Sequence, residues 1–175
     1  MGIKGDVVIQ KPLRQHPVFA TMNESSVNTY RILSLLTEEG VKFYSVLVRI
    51  GISNRKVDNA GLSCGVQADG KLKEKAHRLN GTSFTKHPDH DFVFKDYQLI
   101  ALDKAKALIE KAHPMMPFFR MISWDIAINE QGEPVMLEAN FSLGCLHFLQ
   151  LNNGPLFGED TKKILDEVFG VNTER

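Results

Sequence analysis

Two acidic residues and an asparagine carry the clearest chemical signal in the sequence. Residues 122–140 predict a β-hairpin whose turn lies at residues 131–132. With that turn, Asp125 lies opposite Glu138, and Asn140 lies two residues further along the same face. Two carboxylates directly opposite each other destabilise a sheet unless a cation lies between them. Carboxylate and amide oxygens suit Mg²⁺ or Mn²⁺, which complete their coordination with water and phosphate oxygens.

The other face of this hairpin is predicted to be apolar. On this apolar face the same turn pairs Trp124 with Ala139, Ile126 with Leu137, and Ile128 with Val135. On the acidic face it pairs Ala127 with Met136 and Asn129 with Pro134. An uninterrupted apolar face must pack on a core. The hairpin is therefore predicted to present its acids away from the interior, either to a metal ion or, in the alternative, simply to solvent.

An arginine in an apolar strand is the next candidate. Arg31 lies within residues 28–36, which otherwise read as a buried strand. A guanidinium group in such a strand needs an anionic partner, for which an acidic side chain of the protein is one source. Asn28 precedes the strand and is a weaker candidate, because asparagine is common in turns.

Two further groups give weaker signals. Residues 86–91 (KHPDHD) contain two histidines and two aspartates, but a zinc site needs a further ligand from elsewhere. We interpret them as an exposed loop on the substrate side, within a basic region that suits an anionic acceptor or is simply solvated. Cys64 and Cys145 show no CxxC spacing and no activating pattern, which favours reduced thiols.

The elements that must position these residues follow from periodicity and turns. A short strand is predicted at residues 6–13, a hairpin at 28–36 and 41–50, and a weak strand at 62–68. A loop is predicted at residues 71–94, and a helix ended by prolines at 96–113. Residues 144–151 are apolar and could form either element, and a last helix is predicted from residue 159. Strands and single helices in this order predict an α+β fold with a mostly antiparallel sheet, rather than a doubly wound array.

Composition sets the broad class. The chain has 175 residues, 43% of them hydrophobic, and 21 basic residues balance 21 acidic ones. This length suits a single domain, residues 1–175, and zero net charge argues against a general nucleic-acid binder. The sequence has neither a signal-peptide pattern nor an apolar stretch of membrane-spanning length, so we expect a cytoplasmic protein without a membrane span.

The segment SWDIAINEQGEPVMLEAN, residues 123–140, resembles the metal-binding end of the ATP-grasp superfamily. It is most similar to the sugar-transfer-associated ATP-grasp proteins, which are related to alpha-L-glutamate ligases. Residues 26–32 (SVNTYRI), residues 57–61 (VDNAG) and His87-Pro88 resemble further motifs of that family, in the same order. The chain departs from the family pattern at Ser123, where the family usually has glycine, and in the spacing of the glycines that follow VDN.

The resemblance implies a partial ATP-grasp fold and a set of roles. Asp125, Glu138 and Asn140 would hold Mg²⁺ or Mn²⁺, and Arg31 would stabilise the transferring phosphoryl group or the acyl phosphate. The residues that would border the nucleotide are Val8, Ile9, Gln10, Lys11, Leu13 and Asn28. The implied reaction is ATP-dependent activation of a carboxylate through an acyl phosphate, followed by attack of an amine or another nucleophile, in cell-surface polysaccharide biosynthesis.

The resemblance covers only the C-terminal portion of an ATP-grasp fold. The upstream lobe that clamps the nucleotide is expected to be absent, so we expect this chain alone to bind ATP weakly and to turn over little. Expected partners are a nucleotide, a small-molecule or sugar-linked substrate, and either a separate N-terminal lobe or a second copy of the chain. Two alternatives remain: a non-catalytic module that binds a partner or serves as a scaffold, and a metal-dependent hydrolase for which His147 is the only nearby base.

Overall fold

The computed structural model describes residues 11–53, 61–142 and 144–170. Within these ranges seven strands form one sheet in the order β5-β4-β3-β2-β1-β6-β7, and every pairing is antiparallel. The strands are β1 Thr29–Thr37, β2 Gly40–Ile50, β3 Leu62–Val66, β4 Leu72–His77, β5 Ser83–Phe84, β6 Met121–Ile128 and β7 Pro134–Asn140. The helices are α1 Pro17–Ala20, α2 Leu102–Ala112, α3 Leu146–Asn153 and α4 Thr161–Phe169, with 3₁₀ turns at Phe94–Asp96, His113–Met115 and Gly158–Asp160. The predicted α+β class with an antiparallel sheet is confirmed.

Both predicted hairpins form, and they lie side by side. Strand β1 pairs with β2 on one side and with β6 on the other, so the first hairpin joins the second through β1. Gly40 adopts a φ of +119° at the start of β2, which a residue with a side chain rarely adopts. The central position of β1 brings Arg31 next to the acidic hairpin.

The prediction of a loop over residues 71–94 is wrong in its first half, which contains β4 and β5. Leu72 and Ala76 of β4 are buried against β3, whereas the charged residues 73–75 between them are at least partly exposed. Short, charged strands are common at sheet edges, where charge discourages pairing with other chains. The strand was not predicted because charged residues dominate its sequence and only two of its side chains reach the core.

Helix α2 is shorter than its predicted span, residues 96–113. It begins at Leu102 because the preceding segment is extended: Leu72 N donates to Tyr97 O and Leu99 N donates to Gly70 O. Ala101 then turns the chain in a left-handed conformation, with φ +60°. The helix buries one apolar stripe, as its periodicity predicts, and none of the described helices has the length and hydrophobicity of a transmembrane span.

The two faces of the sheet differ. The first face forms the main core under α1 and α2, with Trp124 as its largest fully buried side chain. The second face carries a smaller cluster of Leu33, Leu47 and Leu149 beneath α3. This helix occupies most of the segment that was ambiguous in sequence.

Helix α3 is fixed to the second face by two asparagines. Asn152 Nδ2 donates to Ser63 Oγ at 2.8 Å, and Asn153 Nδ2 donates to Ser45 Oγ at 2.8 Å. At Gly65 the helix approaches so closely that a Cβ atom would lie 2.9 Å from the carbonyl oxygen of Asn152. These contacts hold the C-terminal end of α3 against β2 and β3.

A polar network is buried in the first face. Trp124 Nε1 donates to Ser34 Oγ at 2.7 Å, and Ser34 Oγ lies 2.8 Å from His113 Nδ1. His113 Nε2 lies 2.8 Å from the carbonyl oxygen of Phe119, so it must carry the proton. Nδ1 is then the acceptor for the Ser34 hydroxyl, and His113 is held as the neutral Nε2–H tautomer.

Stability should fall at acidic pH because of His113 and His87. Burial lowers the pKa of both imidazoles below the ordinary value, against the opposing effect of their hydrogen bonds to the carbonyl oxygens of Phe119 and Gly51. The unfolded chain therefore takes up protons first, and the free energy of unfolding should decline as pH falls below about 6.5. Urea denaturation across this range should show a smaller pH slope for His113→Gln than for the wild type. The exposed His147→Gln variant should keep the wild-type slope, and an unchanged slope in His113→Gln would contradict this assignment.

Candidate functional site

The acidic hairpin has the predicted register up to its central pair. Asp125 is the direct cross-strand neighbour of Glu138, and Ser123 is that of Asn140, so the two acids and Asn140 share one face. Trp124 and Ile126 are fully buried on the other face, as predicted. The turn forms near the predicted position but is centred on Gln131, with Gly132 at φ +76° and Asn129 N donating to the carbonyl oxygen of Glu133.

Between the Asp125–Glu138 pair and the turn, the predicted strand pairing is wrong by one residue. A β-bulge shifts the register between Asp125 and Ile126, so that Ile126 pairs with Met136, Ala127 with Val135 and Ile128 with Pro134. The predicted partners Ile126–Leu137, Ile128–Val135, Ala127–Met136 and Asn129–Pro134 therefore do not form. Leu137 is the extra residue of the bulge and is 48% exposed instead of buried.

Asp125 forms a buried ion pair with Arg31 of the neighbouring strand. Arg31 Nε lies 2.8 Å from Asp125 Oδ1, and Nη2 lies 2.5 Å from Oδ2, a two-pronged arrangement. Arg31 is 5% exposed and Asp125 4% exposed. Burial opposes the charge of Arg31, but the hydrogen bonds and charge of Asp125 outweigh it and raise the pKa of Arg31 above its ordinary value. The predicted anionic partner of Arg31 is thus Asp125.

A second arginine reaches the same carboxylate. Arg49 Nη1 lies 3.5 Å from Asp125 Oδ2, and Arg49 extends from β2 on the face that carries Arg31. Arg49 was not predicted as a site residue, although it too interrupts an apolar strand (VLVRI) and, like Arg31, would there need an anionic partner. Two guanidinium groups therefore converge on one buried carboxylate.

The remaining predicted metal ligands lie beside the ion pair. Glu138 is exposed, whereas Asn140 is half-buried and donates from Nδ2 to the carbonyl oxygen of Ser123 at 3.3 Å. The hydroxyl of Ser123 is buried and has no hydrogen-bond partner among the described residues. A Cβ atom at Gly144 would lie 2.6 Å from Ser123 Cβ, so the serine at this position restricts residue 144 to glycine.

A cavity of about 460 Å³ opens on this face of the sheet. Its buried floor includes Arg31, Leu47 and Ser63, and its rim includes the exposed side chains of Leu79 and His147. The lining residues come from β1, β2, β3, the turn after β4 and the start of α3. The central strands thus supply the charged inner end, and two separate segments form the mouth.

Of the predicted nucleotide-bordering residues, the three that the structure describes, Lys11, Leu13 and Asn28, do not line this cavity. Val8, Ile9 and Gln10 lie outside the described residues. Lys11 is exposed and Leu13 is half-buried, in a segment that runs beside the end of β6, where Glu130 N donates to the carbonyl oxygen of Arg14.

Asn28 has a structural role. It is fully buried, and its Nδ2 lies within hydrogen-bonding distance of the carbonyl oxygens of Phe19 and Asn23, each at 2.8 Å. Its Oδ1 accepts a hydrogen bond from Gly51 N at 3.0 Å. The side chain thereby joins α1, the start of β1 and the end of β2, and its hydrogen-bonding capacity is used within the protein.

The loop of residues 86–91 is only partly exposed. His87 is 3% exposed; its Nε2 lies 3.2 Å from the carbonyl oxygen of Gly51, and its Nδ1 accepts from the backbone N–H groups of Asp89 and His90. The neighbouring side chains of Asp89, His90 and Asp91 are exposed, as predicted. The described residues contain no cluster of three histidine, cysteine or acidic side chains that could hold a metal ion. His87 therefore anchors the loop to the end of β2, and VDNA, residues 57–60, lies outside the described residues.

Arginine side chains beside a cavity are suited to binding carboxylate or phosphate groups. A model of the family described as sugar-transfer associated ATP-grasp matches residues 1–165, and the chain belongs to this family. The resemblance identified from residues 123–140 is confirmed, and ATP-grasp-type function holds at the level of the family. Neither curated proteins nor solved structures give a significant match.

Proposed function

We propose that this face of the sheet is the phosphoryl-transfer site of a ligase that activates a carboxylate with Mg²⁺ and ATP. The observation that carries the proposal is the convergence of Arg31 and Arg49 on the buried carboxylate of Asp125, directly opposite Glu138. Cations at this position would stabilise the negative charge of a transferring phosphoryl group. The family's association with sugar transfer favours a substrate from cell-surface polysaccharide biosynthesis.

The donor set fits a hard divalent cation. Asp125 and Glu138 supply carboxylate oxygens, and Asn140 supplies an amide oxygen, because its hydrogen bond to Ser123 uses only Nδ2. When bound, Mg²⁺ neutralises phosphate charge. Asp125 is also the partner of Arg31, so phosphate oxygens that attract the guanidinium would release this carboxylate. Metal and nucleotide should therefore bind cooperatively, each favouring the arrangement that the other requires.

In the proposed reaction, a substrate carboxylate oxygen attacks the γ-phosphorus of ATP. The bond between that phosphorus and the oxygen of the ADP leaving group breaks, which yields an acyl phosphate and ADP. An amine then attacks the acyl carbon, inorganic phosphate leaves, and the amine loses a proton to solvent. Arg31 stabilises the charge on the transferring group, and Arg49 holds the carboxylate end of the substrate against it.

A non-catalytic module is the second candidate, and the Arg31–Asp125 pair itself favours it. Both oxygens of Asp125 are hydrogen-bonded to Arg31 in a buried site, an arrangement that is complete without a ligand. In that case the acids and arginines would serve the stability of the sheet, and the chain would act by binding a partner.

Calorimetry with ADP, in the presence and absence of Mg²⁺, distinguishes the two candidates. The ligase proposal predicts at least about tenfold tighter ADP binding with Mg²⁺, because phosphate oxygens complete the metal's coordination. Glu138→Gln should remove most of this gain. Glu133→Gln is the matched control, since Glu133 lies in the same hairpin and its side chain pairs with Lys104 at 2.6 Å. Equal affinity with and without Mg²⁺, or equal behaviour of the two variants, would favour the non-catalytic module.

A further inference from the structure

We infer that the acid activated in the cavity beside Asp125 has an apolar body, and that Leu79 at the mouth of the cavity selects for it. The reacting carboxylate is taken from the proposed function, on which this inference rests. The class of acid and the specificity-determining residue go beyond that function.

The inner end of the cavity suits a carboxylate group. Arg31 and Arg49 line it from the sheet face that carries Asp125, and none of the described lining residues is acidic. Guanidinium groups bind carboxylates through paired N–H donors. Leu47, the direct cross-strand neighbour of Arg31, is buried and closes the floor, so the rest of the acid must extend towards the mouth.

The lining between the arginines and the mouth is mainly apolar. Leu47 forms its floor, Phe148 of α3 and Leu79 of the turn after β4 lie further out, and the Phe148 ring stacks on that of His147 with the ring centroids 5.4 Å apart. An apolar body between these side chains would remove both surfaces from water, which favours its binding.

The polar side chains of the lining offer little to a hydroxylated ligand. Ser63 Oγ accepts a hydrogen bond from Asn152 Nδ2 at 2.8 Å, and Asn80 Oδ1 accepts one from Thr82 N at 3.1 Å. Asn80 and His147 are exposed, so their remaining polar atoms lie at the rim. The hydroxyl groups of a sugar ring held between Leu47 and the rim would lose their water without equivalent partners, which opposes binding.

Leu79 is held at the mouth by a turn with a fixed conformation. Arg78 N donates to Thr82 O at 2.9 Å, and Gly81 N donates to Arg78 O at 3.0 Å. On the opposite face of the sheet, the guanidinium carbon of Arg78 lies 5.2 Å from the ring centroid of Phe84 and anchors the turn. A single exposed leucine is common on protein surfaces, but Leu79 is 64% exposed at the mouth of an apolar cavity, where a bound ligand would cover it.

The test compares cyclohexanecarboxylate with glucuronate, which each carry one carboxylate on a six-membered ring and differ chiefly in the ring hydroxyls. Calorimetry without nucleotide should show cyclohexanecarboxylate binding at least about tenfold more tightly than glucuronate or acetate. Cys145 locates the bound ligand because it lines the cavity, whereas Cys64 is fully buried and its burial raises the pKa of its thiol to about 12. Cyclohexanecarboxylate should therefore slow the alkylation of Cys145 by iodoacetamide, at concentrations at which glucuronate does not.

Leu79→Ser should remove most of the preference for cyclohexanecarboxylate and leave the affinity for acetate unchanged. Leu79→Met, which keeps an apolar side chain, should retain the preference. Leu165→Ser is the matched control, because Leu165 is an exposed leucine of α4 that does not line the cavity.

Three results would overturn the inference: glucuronate binding as tightly as cyclohexanecarboxylate, binding that leaves the alkylation of Cys145 unchanged, or equal behaviour of Leu79→Ser and Leu165→Ser. These measurements use neither nucleotide nor Mg²⁺, so their failure is separate from that of the ADP experiment. If the expected results are obtained, the activated acid is aliphatic or aromatic, and a sugar-linked partner of the reaction would supply the amine.

Discussion

Replacing Arg31 by methionine should lower the free energy of unfolding by about 3–5 kcal/mol, because the change leaves a buried carboxylate without its main partner. Asp125 is almost fully buried, and the 3.5 Å contact with Arg49 is too long to replace two short hydrogen bonds. Urea denaturation of the wild type and Arg31→Met measures the difference directly.

The double variant Arg31→Met/Asp125→Leu is the decisive comparison. It removes both charges together, and a buried pair replaced by apolar side chains of similar size often costs little. We therefore expect it to recover most of the stability that the single variant loses, while it loses the coupling between Mg²⁺ and ADP. A loss of less than about 1 kcal/mol in Arg31→Met would show that the pair behaves like an exposed one. A double variant no more stable than the single one would show that the pair is needed for the fold itself.

Replacing Ser34 by alanine should destabilise the protein by about 2–4 kcal/mol, since it leaves two buried groups, Trp124 Nε1 and His113 Nδ1, without partners. The chain has one tryptophan, so its fluorescence reports both the unfolding transition and any change around Trp124 in the folded state. The control is Ser83→Ala, at an exposed position of β5. A cost for Ser34→Ala within about 0.5 kcal/mol of the control would mean that the network contributes nothing beyond packing.

The predictable parts of the fold are those set by short stretches of chain. Each hairpin joins strands that are neighbours in sequence, and alternation of apolar residues indicates which face is buried. The burial of Trp124 follows from such reasoning. The opposition of Asp125 and Glu138 was also predicted, but the pairs nearer the turn are shifted by one residue, and the bulge restores the predicted register at the acidic pair. The periodicity of residues 102–112 likewise identifies a helix, although its start depends on contacts with Gly70 that are distant in sequence.

The features that could not be predicted from the sequence depend on contacts between strands that are distant along the chain. Arg31 and Asp125 are 94 residues apart, and they meet only because β1 pairs with β6 as well as with its hairpin partner β2. Nothing in the local pattern around Leu137 marks a bulge, because the three consecutive apolar residues 135–137 do not show which of them is the extra one. The turn after β4 lines the cavity, and its position depends on a strand that the charged residues 73–75 made hard to predict.

The bulge at Leu137 also affects how the molecule behaves at high concentration. Strand β7 is the last strand of the sheet in the described part of the chain, so its outer backbone groups have no strand partner there. A long and regular edge of this kind invites pairing with the edge of another molecule and is a common starting point for aggregation. The extra residue interrupts the regular spacing of donors and acceptors, and the charged Glu138 lies beside the interruption. The irregularity next to the candidate site thus also disfavours edge-to-edge association between copies of the chain.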